Sequence, residues 1–377
     1  MIERCLYAVV TWVRGARWTL LWSLFAAWPL CATASELSAS AATRALVPRA
    51  LFDEDFRWVT PAGAEAYVAT AKRLGFNVIV PCVWHGRGTS WPSTLAPMDS
   101  KLVGKVPIGS DPLRYLVEVA HKSGIQVHPW FTVFLKQGTL FEKYADPTTA
   151  GMYDVHQVGY HDVIAGLVRE VVTRYPVDGI NLDYVRSKSI CSAPVCVERY
   201  RAATGRNLRM DLSTVDVSEA AYAAVRDYQR KAVVRALRRI RDEIQGIRPR
   251  LYISVDTIAN DRKWSMLGVD AIEWANQGLV DFVFHMDYQS PLYLEHIEKA
   301  RALFAAHDQF LVLVGNFDSE GAGVVRSRRG SDLARVVREG LNVNPNGAIG
   351  LYEFGFLNSE QELVLHELFE TSPSVVR

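Results

Sequence analysis

Val177-Asp-Gly-Ile-Asn-Leu-Asp-Tyr-Val-Arg186 is the segment that points most clearly to the fold of this protein. It follows a segment of helical character at residues 160–175, and its apolar residues predict a buried strand over 179–183. Asn181 and Asp183 are two residues apart, so their side chains project from the same face of that strand. An apolar strand that ends in a carboxylate is typical of a (β/α)₈ barrel, whose active site lies at the C-terminal ends of its strands.

Other apolar segments repeat this arrangement, with stretches of helical character between them. The eight predicted strands are at residues 49–53, 77–84, 125–134, 179–183, 251–256, 280–287, 310–316 and 348–353. A doubly wound sheet has fewer units and usually a Gly-rich phosphate-binding turn after its first strand, which this sequence lacks. We therefore predict an α/β fold of the (β/α)₈ (TIM) barrel type, as a single domain over residues 48–371 with a tail at 372–377.

The N-terminus has the layout of a secretory signal peptide. Arg14 and Arg17 precede an apolar run at residues 18–30, and Ala32-Thr-Ala34 resembles a cleavage site. The run is shorter than the roughly 20 residues that a membrane span needs. We expect a signal peptide at 1–34, a linker at 35–47, and a periplasmic or secreted protein without stable membrane insertion after cleavage. The alternatives are anchoring through an uncleaved leader or through a lipidated Cys31.

Charge and cysteine content narrow the possible partners. Without residues 1–34, which hold three Arg and one Glu, 39 basic residues remain against 40 acidic ones. This balance gives no electrostatic reason to bind nucleic acid. Cys191 and Cys196 flank a short loop and predict a disulfide in an oxidising compartment, whereas Cys82 lies in an apolar strand and predicts a buried free thiol. The oligomeric state stays open.

Carboxylates end four of the eight predicted strands. The four candidates for catalysis are Asp183, Asp256, Asp287 and Glu353. Ser254 with Asp256, and His285 with Asp287, have the same two-residue spacing as Asn181 with Asp183, which predicts that the three pairs converge on one pocket. A lone strand-end Asp is often a helix cap, but buried carboxylates without partners are costly, so a cluster of them indicates function.

Aromatic and hydrogen-bonding residues accompany these carboxylates and point to a sugar ligand. Sugar rings stack their C–H faces on aromatic side chains, and amide, imidazole and guanidinium groups bind hydroxyls. The predicted substrate-binding residues are Trp84, His85, Trp91, His128, Trp130, Asn181, Tyr184, Arg186, His285, Tyr288 and Asn316. Trp130 and Tyr288 have an equally simple interpretation as side chains that fill the barrel core.

Residues 48–355 resemble the glycosyl hydrolase-like 10 family of exported bacterial barrel proteins. The segment 177–186 is similar to the family's fourth-strand motif, D-G-I-H-x-D-Y-x-R. Four other segments agree in order and spacing with the family pattern: residues 86–93, Asp111-Pro-Leu113 with His121, residues 124–131 and residues 280–288. This chain departs from the family at Ser187-Lys188, where Tyr-Pro is usual, and at Asp256, where many members have an apolar residue or Pro.

The resemblance implies a glycosidase that acts on a bacterial sugar polymer, either peptidoglycan glycan or an amino-sugar exopolysaccharide, with Asp183 as the central acid. Such hydrolysis needs one ionised and one protonated carboxyl group. We expect Asp183 to be ionised, with its pKa held down by Arg186 and Asn181. Asp256 is the first choice for the acid, and Asp287 and Glu353 are its rivals.

Two other functions remain open at this point. A non-catalytic glycan-binding barrel would keep the aromatic residues but lack a working acid. A metal-dependent hydrolase would use His85, His128, His285 and an Asp. It would need close-set ligands such as H-x-H or H-x-x-x-H, and no strand end carries them. We therefore expect no metal and no cofactor.

Overall fold

The computed structural model describes residues 46–107, 109–319 and 324–371. The predicted signal peptide, Cys31, most of the linker and the C-terminal tail lie outside these residues. Among the helices described, none combines the length and apolar character that crossing a bilayer requires.

Eight strand positions form a closed parallel barrel, in which two short strands share the third position. In chain order the barrel strands are β1 (Arg49–Asp53), β2 (Val78–Trp84), β3 (Gln126–Val127), β4 (Trp130–Thr132), β5 (Gly179–Asp183), β6 (Tyr252–Thr257), β7 (Phe282–Asp287), β8 (Phe310–Gly315) and, after a small hairpin, β11 (Ile349–Tyr352). The hairpin consists of β9 (Phe317–Ser319) and β10 (Val325–Ser327). Because β1 pairs with both β2 and β11, the sheet closes on itself and confirms the predicted (β/α)₈ barrel.

Helices follow the strands and cover the barrel. The α-helices of the described residues are α1 (Pro61–Arg73), α2 (Pro112–Lys122), α3 (Val158–Arg174), α4 (Pro194–Thr204), α5 (Leu208–Thr214), α6 (Glu219–Ile247), α7 (Arg262–Met266), α8 (Ala271–Asn276), α9 (Leu294–Arg301), α10 (Gly330–Val343) and α11 (Ser359–Thr371). Thr60 and Asp111 cap the N-termini of α1 and α2, since each side chain accepts a backbone N–H of the first turn and a Pro follows it.

The strands are buried on both faces, as a parallel sheet requires. Side chains facing outward, such as Ile79, Val255 and Val312, pack against the helices in one continuous apolar core. The alternate side chains face into the barrel, where Phe52 contacts Trp130 and Phe284 edge to face.

The strand register sets which polar side chains meet inside the barrel. Asn181 lies beside Ser254, and Leu182 beside Val255, so the next pair along these strands is Asp183 and Asp256. Asp256 in turn lies beside Phe284, whereas His285 lies beside Thr257. Neighbours in a parallel sheet point to the same face, so Asp183, Asp256 and Phe284 face inward and His285 faces outward.

An insertion between β5 and α6 carries α4 and α5. Tyr200, Leu208, Val215 and Val225 form a small apolar core of its own. The predicted disulfide is present and joins Cys191, in the preceding loop, to Cys196 in the first turn of α4. Cys82 is a buried free thiol, as predicted.

Candidate active site

A cavity of about 170 Å³ opens at the C-terminal ends of the barrel strands. Its lining residues are Phe52, Glu54, Trp130, Thr132, Leu135, Gln137, Asp183, Tyr184, Arg186, Asp256, Met286, Tyr288, Leu313 and Tyr352. Three carboxyl groups, several aromatic rings and one guanidinium group therefore meet in one small space. Two of the predicted catalytic residues and four of the predicted substrate-binding residues are among them.

Asp183 ends β5 and is buried in this cavity. Its Oδ1 accepts the backbone N–H of Tyr184 at 2.5 Å, and Tyr184 has a left-handed backbone with φ of 49°. Burial is the largest influence and raises the pKa of Asp183 to about 7, although the Tyr184 N–H and the Arg186 charge act in the opposite direction. The expectation of a lowered pKa is thus corrected, because a guanidinium and one N–H do not offset the loss of water.

Arg186 lies beside Asp183 and is held by aromatic rings. Its guanidinium lies 4.9 Å from the centre of the Tyr184 ring and 4.0 Å from that of Trp264. Its Nη1 donates to the Ser187 carbonyl at 3.0 Å. Flat contacts of this kind fix the orientation of the guanidinium fork, so Arg186 presents a placed positive charge to the cavity.

Asp256 is the second buried carboxyl group. Asn181 donates from Nδ2 to Asp256 Oδ1 at 2.8 Å and to Ser254 Oγ at 3.0 Å. We expected Asn181 to support Asp183, but its hydrogen bond goes to Asp256 instead. Burial, and then the charge of Asp183, raise the pKa of Asp256 well above that of an exposed Asp. Two adjacent buried carboxyls resist double ionisation, so the pair holds one proton. Asp256 keeps it, since Arg186 and the Tyr184 N–H favour charge on Asp183.

Glu54 lines the same cavity and was missed by the sequence analysis. It follows β1, whose predicted end was Asp53, yet Ala50, Phe52 and Glu54 continue the alternation of inward side chains. The two-residue spacing from Phe52 was therefore the signal in the sequence that could have identified Glu54. The Tyr352 hydroxyl donates to Glu54 Oε2, and the Tyr352 ring stacks on Tyr288 with centres 5.3 Å apart. Burial raises the pKa of Glu54 as well.

His285 and Asp287 face away from the cavity, which corrects their predicted roles. His285 Nδ1 accepts the Ala259 N–H at 3.1 Å. Asp287 accepts the backbone N–H groups of Gln289 at 3.0 Å and Tyr293 at 2.7 Å. Because side chains alternate along β7, it is Met286 and Tyr288 that line the cavity.

Glu353 and Asn316 also lie outside the cavity lining. Glu353 accepts the Glu54 N–H at 3.1 Å and pairs with Arg57 at 3.4 Å. Asn316 donates to the Glu353 carbonyl at 3.0 Å and to Gln361 at 3.1 Å. The preceding residue Tyr352 faces inward, so the next side chain faces outward. Both predicted residues hold strand ends together, and neither contacts the cavity.

The remaining predicted residues divide between the core and the rim. A register shift between Cys82 and Trp84 places Trp84 beside Phe131, in the outer core. Trp91 is fully buried and donates to Glu170 at 3.2 Å. We expected both Trp residues at the mouth, and neither lies there. A β-bulge turns Trp84 outward, and the bond to Glu170 holds Trp91 in the core.

The histidines of β2 and β3 are buried too. His85 donates from Nε2 to the Glu54 carbonyl at 3.2 Å, and burial lowers the pKa of His85 to about 4. His128 stacks on Tyr252, with ring centres 6.2 Å apart, and does not line the cavity. Within residues 46–107, 109–319 and 324–371, no group of three or more His, Cys, Asp and Glu side chains has the arrangement of a metal site.

Known proteins resemble this chain in sequence and in fold. Glycosyl hydrolase DigH of Escherichia coli is 27% identical over 253 residues, which are 56% of this chain and 54% of that protein. Glycosyl hydrolase YngK of Bacillus subtilis is 21% identical over 255 residues, which are 58% of this chain and 47% of that protein. The chain therefore spans about half the length of the curated relatives it matches.

Solved structures share the barrel at low sequence identity. The PgaB (BpsB) glycoside hydrolase domain of Bordetella bronchiseptica has a TM-score of 0.65 and 12% identity, over 85% of this chain and 98% of that one. Alpha-L-fucosidase isoenzyme 2 of Paenibacillus thiaminolyticus has a TM-score of 0.59 and 14% identity, over 85% and 48%. These likenesses show the fold alone. The family Glycosyl hydrolase-like 10 matches residues 52–157 and 152–306, and the chain belongs to this family.

Proposed function

We propose that this protein hydrolyses glycosidic bonds in a bacterial sugar polymer, either the glycan of peptidoglycan or an amino-sugar exopolysaccharide. The observation that carries the proposal is the pair of Asp183 and Asp256, buried side by side in an aromatic cavity at the catalytic rim. Membership of a glycosyl hydrolase-like family supports the same class of reaction. The choice of polymer follows from the family resemblance of segment 177–186.

The cavity has the parts that such a reaction needs. Asp183 supplies the ionised carboxylate, Asp256 stays neutral beside it, and Glu54 is a third carboxyl group of the cavity that can carry a proton. Tyr184, Tyr288 and Trp130 offer faces on which a sugar ring stacks, and Arg186 offers donors to hydroxyl groups. Because the three aromatic residues line the cavity on different strands or loops, they bracket a ring from several sides.

Location outside the cytoplasm is part of the proposal. The signal-peptide layout of residues 1–34 supports it, and the disulfide between Cys191 and Cys196 suits an oxidising compartment. Fusion of residues 1–47 to a reporter that is active only after export tests this location. An inactive, cytoplasmic reporter would contradict it.

Digestion of a polymer panel tests the reaction itself. Glycan strands stripped of their peptides and poly-glucosamine polymers are incubated with the protein, and new reducing ends are counted. We expect reducing ends from at least one polymer, with products one water heavier for each bond cut, and none from Asp183→Asn. Polymer binding without any new reducing end would show a glycan-binding barrel and would overturn the proposal.

A further inference from the structure

We propose that Glu54 is the proton donor to the leaving glycosidic oxygen, acting across the cavity from Asp183. This inference rests on the proposed glycosidase function. It assigns to a residue of the first strand the role that the sequence suggested for Asp256.

The position of Glu54 in the barrel carries the argument. Around the closed sheet, β6 is reached from β1 in four steps in either direction, through β2, β4 and β5 or through β11, β8 and β7. Glu54 therefore enters the cavity from the wall opposite Asp256. Asp183 and Asp256 enter from neighbouring strands, which lie about 4.8 Å apart. Direct attack by water needs two carboxyls about 6.5–9.5 Å apart, which is wider than the spacing of neighbouring strands. Asp183 and Glu54 enter from strand positions three steps apart, so this pair suits the reaction better than Asp183 with Asp256.

Access to water separates the three carboxyl groups further. Asp183 and Asp256 are 7% and 3% exposed, whereas Glu54 is only partly buried. A proton donor has to regain its proton from solvent in every turnover, which favours the carboxyl nearest to water. Asp256 is the deepest of the three, and its Oδ1 is already taken by Asn181.

Burial favours a proton on Glu54, against the hydrogen bond that this carboxyl accepts. The Tyr352 hydroxyl donates to Oε2, which leaves Oε1 for the transferable proton. Burial is the largest influence and raises the pKa of Glu54, the Tyr352 hydroxyl is the next and lowers it, and Asp55 raises it. The charges of Lys101 and Arg87 lower it. Asp183 lines the same cavity, and the charge of Glu54 raises the pKa of Asp183.

The proposed step balances in atoms and charge. Glu54 Oε1 gives its proton to the glycosidic oxygen as the bond from that oxygen to the anomeric carbon breaks, and the leaving sugar departs as an alcohol. A water molecule supplies the oxygen that bonds to the anomeric carbon and gives one proton to Asp183. Asp183 then releases that proton to solvent, and Glu54 takes one up from solvent. One water is consumed for each bond, and Asp256 remains protonated beside Asp183.

The test compares two leaving groups. Rates are measured on the polymer that the protein cuts and on a dinitrophenyl glycoside of an N-acetylglucosamine oligosaccharide, whose leaving group departs without a proton. We expect Glu54→Gln to lose about 10²–10⁴-fold on the polymer and less than about tenfold on the dinitrophenyl glycoside. Glu54→Ala should show the same difference between the two substrates. This variant excludes the possibility that the new amide of Gln, and not the loss of the carboxyl group, lowers the rate. Both variants should lose the alkaline limb of the pH–rate profile.

Glu65→Gln is the matched control, since Glu65 also accepts a tyrosine hydroxyl, from Tyr115 at 2.5 Å, and lies outside the cavity. It should keep both rates. Equal losses of Glu54→Gln on the two substrates would overturn the inference, as would a leaving-group-dependent loss in Asp256→Asn alone. If the wild-type protein cuts neither substrate, the proposed function itself fails, and this is seen before any variant is compared.

Discussion

Tyr184 shows how the site is maintained at a cost in backbone conformation. Its φ of 49° is left-handed, a region that a bulky residue without special support avoids. In this conformation its N–H reaches Asp183 Oδ1, and its ring supports the Arg186 guanidinium. Strain of this kind is typical of functional sites, where the surrounding structure holds it in place.

Asp256→Asn should stabilise the protein at neutral pH. Burial raises the pKa of Asp256, as it raises that of Asp183 to about 7, so the folded state holds more protons than the unfolded chain between pH values of about 4 and 7. Stability therefore falls as the pH rises through this window. The amide removes that loss and keeps an oxygen for Asn181 to bond. We expect an unfolding midpoint higher by about 2 °C or more at pH 7, and little change at pH 4.

Thermal unfolding at several pH values, followed by circular dichroism, checks this prediction. Asp55→Asn serves as the control, because Asp55 is exposed and outside the cavity. A midpoint of Asp256→Asn that falls below that of the wild type as the pH rises from 4 to 7 would contradict the prediction.

The location of an individual side chain could be predicted only where it was known which alternate residues of its strand face the barrel interior. Asp183, Asp256 and Tyr288 were expected at the cavity and line it. His285 and Asp287 were expected there too, but β7 places the other set of alternate residues inward. An apolar strand buried on both faces carries no alternation of polar and apolar residues, so its sequence does not show which set faces the barrel interior.

At the scale of elements, the β9–β10 hairpin is tied to the cavity wall by Arg328. This arginine is 1% exposed and donates to Asp318 at 2.9 Å, to the Phe317 carbonyl at 2.8 Å and to the Tyr288 carbonyl at 2.7 Å. One buried side chain thus joins the hairpin to the residue that follows β7. No pattern in the sequence signals this link, because it depends on contacts between residues about 40 positions apart.

Arg328→Leu should loosen this wall. It leaves several carbonyl oxygens without donors, and we expect a loss of roughly 2–4 kcal/mol in the free energy of unfolding. Because Tyr288 then loses its support, KM for the polymer should rise more than kcat falls. Urea denaturation and steady-state kinetics measure the two effects. Unchanged stability together with unchanged KM would rule out the proposed link.

The insertion that carries α4 and α5 is stabilised separately from the barrel. It has its own apolar core, and the disulfide between Cys191 and Cys196 closes the loop that leads into it. Reduction should destabilise this element by roughly 2 kcal/mol, through the entropy of the short loop in the unfolded state.

Hydrogen exchange with and without reducing agent checks this expectation. Amides in residues 194–214 should exchange faster after reduction, whereas those in β5 and β6 should keep their protection. Cys191→Ser with Cys196→Ser should behave like the reduced protein. Equal protection of residues 194–214 in all three samples would show that the disulfide does not stabilise the insertion.

At the scale of the whole molecule, barrel closure brings together residues that are far apart in sequence. Glu54, Asp183 and Asp256 come from the first, fourth and fifth barrel positions and meet because β1 pairs with β11 as well as β2. The count of eight strands and the order of the barrel were predictable from the alternation of apolar and helical segments. Glu54 was not found, because it lies one residue beyond the end of the first strand.

Fewer aromatic residues line the cavity than we expected, because two of them fill the space between the barrel and the helices. Trp84 and Trp91 are large enough to fill the space between barrel and helices, and both are buried there. Trp130 and Tyr288 face the cavity instead. The sequence places Trp84 at the end of a strand, which suggested a position at the mouth. The bulge that turns Trp84 outward depends on the pairing of β2 with β4, which the sequence does not show.

The turnover of Asp183→Asn tests whether the barrel mouth around Asp183 cuts glycosidic bonds. Asp178→Asn is the matched control, since Asp178 precedes the same strand at its other end and accepts the Val127 N–H there at 2.9 Å. On the polymer that the wild-type protein cuts, we expect Asp183→Asn to lose at least about 10³-fold in kcat while Asp178→Asn keeps its rate. Release of reducing ends by Asp183→Asn at the wild-type rate would contradict the account.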